Sequence, residues 1–234
     1  MVGTISDVIG GLGKSIVTSN LTFYVDASLS QSYSGTGSTW KDLSINVNDV
    51  TLVNSPAFSS ENYGNFTFDG STQYGSFGGS NNNFSTGSIE LWVKLDTPTD
   101  GLSRQMFVRT NTSAGTFNLR KVTTNKFDVV MRVANLTQYT VTSDNDATSS
   151  WTQVLGTYDG STLKLYINGV LQSTSVSVSG SIDTAGTVLY NIGRNTSGLA
   201  YTNGKIAIAS LYNRALTDAE VLQNFNAARG RFGV

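Results

Sequence analysis

Glu61, Glu90 and Glu220 are the only glutamates in this chain, and histidine and cysteine do not occur at all. Few chemistries survive both absences, and the main one is hydrolysis of a glycosidic bond by paired carboxylates, where one group acts as acid and the other as base or nucleophile. Without histidine there is no Ser-His-Asp triad, no imidazole general base and none of the commonest metal-ligating side chain. Without cysteine there is no thiolate nucleophile, zinc thiolate site or disulfide. Of the glutamates, Glu90 lies in SIELWVKLD (88–96), where Ile89, Leu91, Val93 and Leu95 alternate with Glu90, Trp92 and Lys94. That period of two marks a strand with one apolar face. Glu220 belongs to Thr217-Asp218-Ala219-Glu220, a capping box whose hydroxyl and carboxylate satisfy free N–H groups at a helix start.

Two other kinds of chemistry remain open. Calcium takes six to eight oxygen ligands, and Ser143-Asp144-Asn145-Asp146 gathers such groups in what reads as one loop. Asp26 and Asp69 stand at strand ends and complete the calcium candidates Asp26, Asp69, Asp144 and Asp146. The competing reading is that these side chains cap turns through bonds to the backbone. No cofactor is required, and Ca²⁺ is the one ion the donor set suits. Sugar binding would need an exposed ring flanked by amides and carboxylates. Tyr74, Tyr139, Tyr190 and Tyr201 lie near loops rich in Asn, Ser and Gln and are the candidates. Trp40, Trp92 and Trp151 sit inside strand-like blocks and read as packing residues.

Charge is sparse and balanced, with 15 basic and 16 acidic residues for a formal net of −1. No Lys/Arg cluster gives the footprint of a nucleic-acid binder. No apolar run approaches the ~20 residues that span a bilayer, and no signal peptide is evident. Gly13-Lys14-Ser15 resembles the end of a phosphate-binding loop, but position 8 is valine where the pattern needs glycine and no strand precedes it. Six Asn-x-Ser/Thr matches, beginning with Asn20, read as products of composition.

The elements that must position these groups are mostly strands. WTQVLGTYDGSTLKLYINGVLQST (151–174) holds two hairpin signals, Asp159-Gly160 and Asn168-Gly169, around a run in which Leu163, Leu165 and Ile167 alternate with polar partners. Asx-Gly pairs supply the positive φ that tight hairpin turns need, so three antiparallel strands follow one another here. LTFYVDA (21–27), NFTFDG (65–70), FDVVMRV (127–133), VLYNIG (188–193) and GKIAIASLYNRAL (204–216) continue the series. A closing helix follows Thr217, with Val221, Leu222, Phe225 and Ala228 on its apolar face and Gly230 as its expected stop. Residues 1–19 differ. Val2, Ile5, Ile9, Leu12 and Ile16 form an amphipathic stripe weakened by glycines, each costing roughly 1 kcal/mol relative to alanine. Such an arm needs a surface to lie against, its own sandwich or another subunit. Residues 1–19 are thus an anchoring or oligomerisation arm, and 20–234 one domain.

These segments in this order resemble the laminin-G-like jelly rolls of the concanavalin A-like lectin/glucanase superfamily. The matching pieces are LTFYVDASLSQSYSGTGSTWKDLS (21–44), FDGSTQY (68–74), GSIELWVK (87–94), WTQVLGTYDGSTLKLYINGVLQ (151–172) and IGR with GKIAIASLYNRALTDAEV (192–221). The resemblance implies an all-β fold, a two-sheet antiparallel jelly-roll sandwich with a short C-terminal helix and an N-terminal arm. It also implies a face sized for carbohydrate, and a calcium in many relatives. Its enzymatic branch carries Glu-x-Asp-x-x-Glu along one strand; here Trp92 and Lys94 stand where further carboxylates would follow Glu90. The block at 21–44 further resembles the opening of such domains in tailed-phage structural proteins, although Ile45-Asn46-Val47-Asn48-Asp49 departs from the usual Asn-Gly-Asn turn.

The expected function is therefore a non-enzymatic virion protein, of capsid-decoration or fibre type. Its partners would be capsid or other virion proteins through the arm, host cell-surface glycans through the sandwich, and further copies of itself. It would be made in the host cytoplasm and displayed on the particle surface. A bacterial-surface or free lectin module is the alternative, and a glycoside hydrolase stands behind both.

Overall fold

The computed structural model describes residues 15–79, 85–111, 116–133, 137–180, 182 and 188–234. The strands are β1 (Leu21–Asp26), β2 (Thr39–Trp40), β3 (Val50–Val53), β4 (Ala57–Ser59), β5 (Asn65–Asp69), β6 (Tyr74–Gly79), β7 (Gly87–Leu95) and β8 (Arg104–Asn111). They continue as β9 (Thr116–Lys121), β10 (Lys126–Arg132), β11 (Gln138–Asp146), β12 (Thr152–Tyr158), β13 (Thr162–Ile167), β14 (Val170–Ser177), β15 (Val188–Ile192) and β16 (Asn203–Tyr212). Among the described residues one α-helix, α1 (Asp218–Phe232), follows the last strand.

Every pairing between these strands is antiparallel. One sheet runs β14-β13-β12-β7-β16-β5-β4, with β1 also paired to β16; the other runs β11-β10-β9-β8-β15-β6-β3-β2. Long β16 serves two neighbours on one side because a register shift between Ile206 and Ile208 separates its β5-paired half from its β1-paired half. Both Asx-Gly turns form as expected, with Asn168 and Gly169 at φ 51 and 76 and Gly160 at φ 101. The all-β jelly-roll sandwich is the fold.

Strand alternation sorts the side chains. Ile89, Leu91, Val93 and Leu95 of β7 face the other sheet and meet Phe107, Phe117, Val129 and Met131 in the inter-sheet core. The sheets close tightly at Gly156 on β12, where a Cβ would overlap the side chain of Val129 on β10. The outer face of the first sheet is covered too. Trp92 stacks on Phe232 (centroids 4.4 Å) and Phe225 (5.8 Å), and Trp151 packs on Phe232 at 4.6 Å. Trp40 is buried against Phe66, so all three tryptophans pack as expected.

Two expectations about elements are corrected. The helix does not stop at Gly230; it runs to Phe232, and Gly233 takes the left-handed cap at φ 70. Burying Phe232 against two tryptophans outweighs the roughly 1 kcal/mol that an internal glycine costs. Ser143–Asp146 is not a loop but the end of β11, paired with β10 across a register shift between Lys126 and Asp128. Its polar residues hid it from an apolar periodicity. The arm's stripe over Val2, Ile5, Ile9 and Leu12 lies outside the described residues. Ile16 lies inside them and packs, with buried Val17, against the α1 cluster. Among the described residues no helix is long and apolar enough to cross a membrane.

Candidate functional site

Among the described residues, no helix lies on the outer face of the second sheet. Phe77 on β6 and Tyr190 on β15 point into the core, so alternation places Ser76 and Gly78, Leu189 and Asn191 on the opposite side. Leu189 is 45 % exposed there. These residues, with Thr51 on β3, Asp49 just before it, and Arg194 and Thr196 just after β15, line a depression of about 450 Å³. Hydroxyls, an amide, a carboxylate and a guanidinium thus converge on one open hollow.

The loop after β15 is built to hold Arg194. Gly193 donates to Met106 O at 2.8 Å, Thr202 to Gly193 O at 2.7 Å, and Gln105 to Ala200 O at 2.8 Å. The Asn195 side chain accepts from Leu199 N at 2.7 Å. From this frame the Arg194 guanidinium carbon sits 3.4 Å from the centroid of the Tyr74 ring and 6.0 Å from that of Tyr201. The two rings meet edge to face at 6.4 Å.

Of the four tyrosines expected to stack on sugar, the structure brings together Tyr74 and Tyr201 beside the depression, but a face of Tyr74 carries the guanidinium. Tyr190 cannot serve. It is buried and stacks on Phe77 at 4.5 Å, because Val188 and Ile192 on the same face of β15 draw it into the core. Tyr139 is half-buried; its hydroxyl donates to Ser179 O and accepts from Ser179 N, each at 3.2 Å. Arg194, Asp49 and Asn191 were missed by sequence reasoning. The IGR triplet after an alternating strand was the only available signal, and it did not reveal what the arginine would meet.

The four aspartates do not form one site, and among the described residues no three acidic side chains converge to hold a metal ion. Asp26 is buried in an ion pair with Arg231 at 2.6 Å. Asp69 caps a turn, accepting from Ser71 N, Thr72 N and Gln73 N; these bonds hold its carboxyl well below the usual range against the opposing effect of burial. Asp144 ties β11 to β14 by accepting from Ser173 N and Oγ, which lowers its pKa. Asp146 is exposed at the strand end.

The glutamates lie in three settings. Glu61 pairs with Lys205 at 2.6 Å, which lowers its pKa. Glu220 is held by Arg214 and the capping box at a pKa of about 2. Glu90 is buried beneath α1, accepting from Gln153 Nε2 at 2.6 Å, Asn224 Nδ2 at 2.9 Å and Ser210 Oγ at 3.0 Å. Burial raises its pKa despite those three donors.

A sequence profile described as the concanavalin A-like lectin/glucanases superfamily matches residues 69–222. No curated protein sequence matches the chain. Among solved structures, the receptor-binding domain of a botulinum neurotoxin C/D mosaic serotype superposes with a TM-score of 0.70 at 15% identity, covering 90% of this chain and 52% of that one. The receptor-binding domain of botulinum neurotoxin D gives 0.69 at 15%, covering 89% and 53%. That of type G gives 0.65 at 15%, covering 88% and 51%. The chain spans about half the length of these structures, and the likeness is one of fold.

Proposed function

The chain belongs to the concanavalin A-like lectin/glucanase superfamily, and from that premise we propose that it is a non-enzymatic binding module whose sandwich contacts surface glycans. The observation carrying this reading is the polar depression beside Arg194 and Tyr74 on the second sheet. Hydrolysis finds no support in the carboxylates. Glu90 is sealed under α1, Glu61 is paired with Lys205 and Glu220 caps the helix. The similar toxin structures are receptor-binding domains by name, which agrees with a binding role.

The finer part of the proposal is display on a phage particle through residues 1–19. The resemblance of residues 21–44 to phage structural domains supports it. So does the path of the chain. Val17 donates to Asn224 Oδ1 at 2.9 Å and accepts from the Tyr212 hydroxyl at 3.0 Å, so Ile16 and Val17 lie on the α1 side. The depression opens on the other sheet. An arm bound to a particle would leave that hollow outward, and weak contacts would gain strength from many copies.

A glycan array with the full chain tests the binding role; selective retention is expected, and no retention on any saccharide overturns it. Removing residues 1–14 should abolish incorporation into particles while leaving the thermal unfolding of the sandwich unchanged. Unchanged incorporation discards the arm. Sugar selectivity without particle association would favour a free or cell-surface lectin, the reading that the toxin-domain likeness also fits.

A further inference from the structure

We infer that the depression takes an acidic saccharide, with the Arg194 guanidinium receiving the sugar's carboxylate and Asp49 accepting its ring hydroxyls. This rests on the glycan-binding reading and narrows it to one ligand class.

The first observation is the state of Arg194. Among the described ion pairs, Asp100 takes Arg104 and Lys121, Asp128 takes Arg120, Glu220 takes Arg214 and Asp26 takes Arg231; Arg194 has no such partner. Its Nη1 reaches only the Tyr201 hydroxyl, at a long 3.4 Å, and its buried Nε has no acceptor. A guanidinium is a planar fork of five donors that matches a carboxylate two bonds at a time. Stacked at 3.4 Å on Tyr74, it is held by its face; with Nε buried, the end-on pair Nη1 and Nη2 is what it offers for such a bond.

The second observation is what stands around it. A neutral pyranose is ordinarily gripped by stacking its apolar face on an aromatic ring, but Tyr74 offers the guanidinium on that face and Tyr190 is buried in the core. The depression instead offers Thr51, Ser76, Asn191 and Thr196, with Asp49 among them. One oxygen of Asp49 accepts from Asp42 N at 2.9 Å. A carboxylate and a guanidinium lining one hollow, unpaired with each other, suit a ligand that is hydroxyl-rich at one end and anionic at the other.

The test is a two-dimensional amide NMR titration of the full chain with sialyllactose, a hyaluronan tetrasaccharide and lactose. Both acidic probes should shift the Ser76, Asn191 and Thr196 signals with affinity about tenfold above lactose, the worth of one charge-assisted pair. Arg194→Gln should erase that preference, and Arg194→Lys should restore only part of it because an ammonium lacks the fork. Equal binding of lactose and the acidic probes, unchanged by Arg194→Gln, overturns the acidic-sugar assignment and leaves glycan binding standing. Shifts confined to other surfaces overturn the site. No shift with any probe overturns both. The wild-type preference is read without any variant, so a poorly folding Arg194→Gln would not shield the claim.

Discussion

Arg231 in the last turn of α1 lies 2.6 Å from Asp26 at the end of β1, with both side chains nearly out of solvent. The same guanidinium donates from Nε to Asn62 O at 2.6 Å and from Nη2 to Gly64 O. Asn62 in turn accepts from Trp151 Nε1 at 3.1 Å. One side chain therefore ties the helix to β1 and to the turn before β5. The backbone of that turn is strained, with Asn62 at φ 50 and Tyr63 at φ 64. These links hold the terminal helix over the first sheet, on the opposite side of the sandwich from the depression.

Removing one member of such a pair strands the other as a desolvated charge. Arg231→Met should lower stability by about 3 kcal/mol, read as a lower urea midpoint with an unchanged slope. Asp26→Asn keeps an oxygen for Ser28 N and should cost less. The double variant should cost less than the sum, since its second substitution removes no surviving pair. Additive losses would show that the two groups are not coupled.

The helix start makes a separate prediction about acid. Arg214 first, then the Thr217 backbone and side chain, hold Glu220 at about 2, below its unfolded value. Its stabilising contribution is therefore complete above the ordinary carboxylate range and disappears as pH falls through about 2. Glu220→Gln should cost about 1 kcal/mol at neutral pH, the usual worth of an N-terminal cap, and should cost little near pH 2. Thermal unfolding of both proteins across that range checks it; a gap that does not close in acid removes Glu220 from the account.

Gly156→Ala should destabilise by about 1–3 kcal/mol through overpacking, because its Cβ would enter the space of Val129 across the sandwich. Val129→Ala alone opens a void. Combined with Gly156→Ala it should recover part of both losses, and chemical denaturation of the four proteins measures the coupling.

Much of this fold is written in local signals. Asn168-Gly169 and Asp159-Gly160 dictate their hairpins because positive φ is a property of two adjacent residues. Thr217 and Glu220 announce the helix for the same reason. Tyr190 was also legible, since alternation with Val188 and Ile192 assigns it to the core, but nearby polar loops suggested a surface ring. Arg194 was not legible. Its setting depends on Tyr74, which is remote in sequence and brought near by the pairing of β15 with β6. The ends of β11 and α1 were misplaced because pairing and burial, rather than local propensity, set them.

Glu90 carries the last prediction, and its sign is unusual for a carboxylate. Burial raises its pKa, while Gln153, Asn224 and Ser210 pull it back without cancelling that rise. The folded chain thus holds this proton more tightly than the unfolded chain. Glu90's contribution is full below its unfolded value of about 4.3 and is lost as pH rises through the higher folded value. Glu90→Gln removes the titration and sets an amide against the amide groups of Gln153 and Asn224. Asn224 cannot turn to accept without withdrawing Oδ1 from Val17 N, so the variant should lose about 1–3 kcal/mol at pH 7, the cost of an unsatisfied buried polar group. Because only the wild type gains on acidification through this window, the stability gap should widen as pH is lowered from neutrality toward the ordinary carboxylate range. Urea midpoints of both proteins across that interval test the sign, and a gap that narrows rejects it. Hydrogen exchange at the Val17 amide tests the mechanism. Faster exchange in Glu90→Gln, with the β12–β13 hairpin still protected, would show that the buried carboxylate fastens the amino-terminal segment to α1.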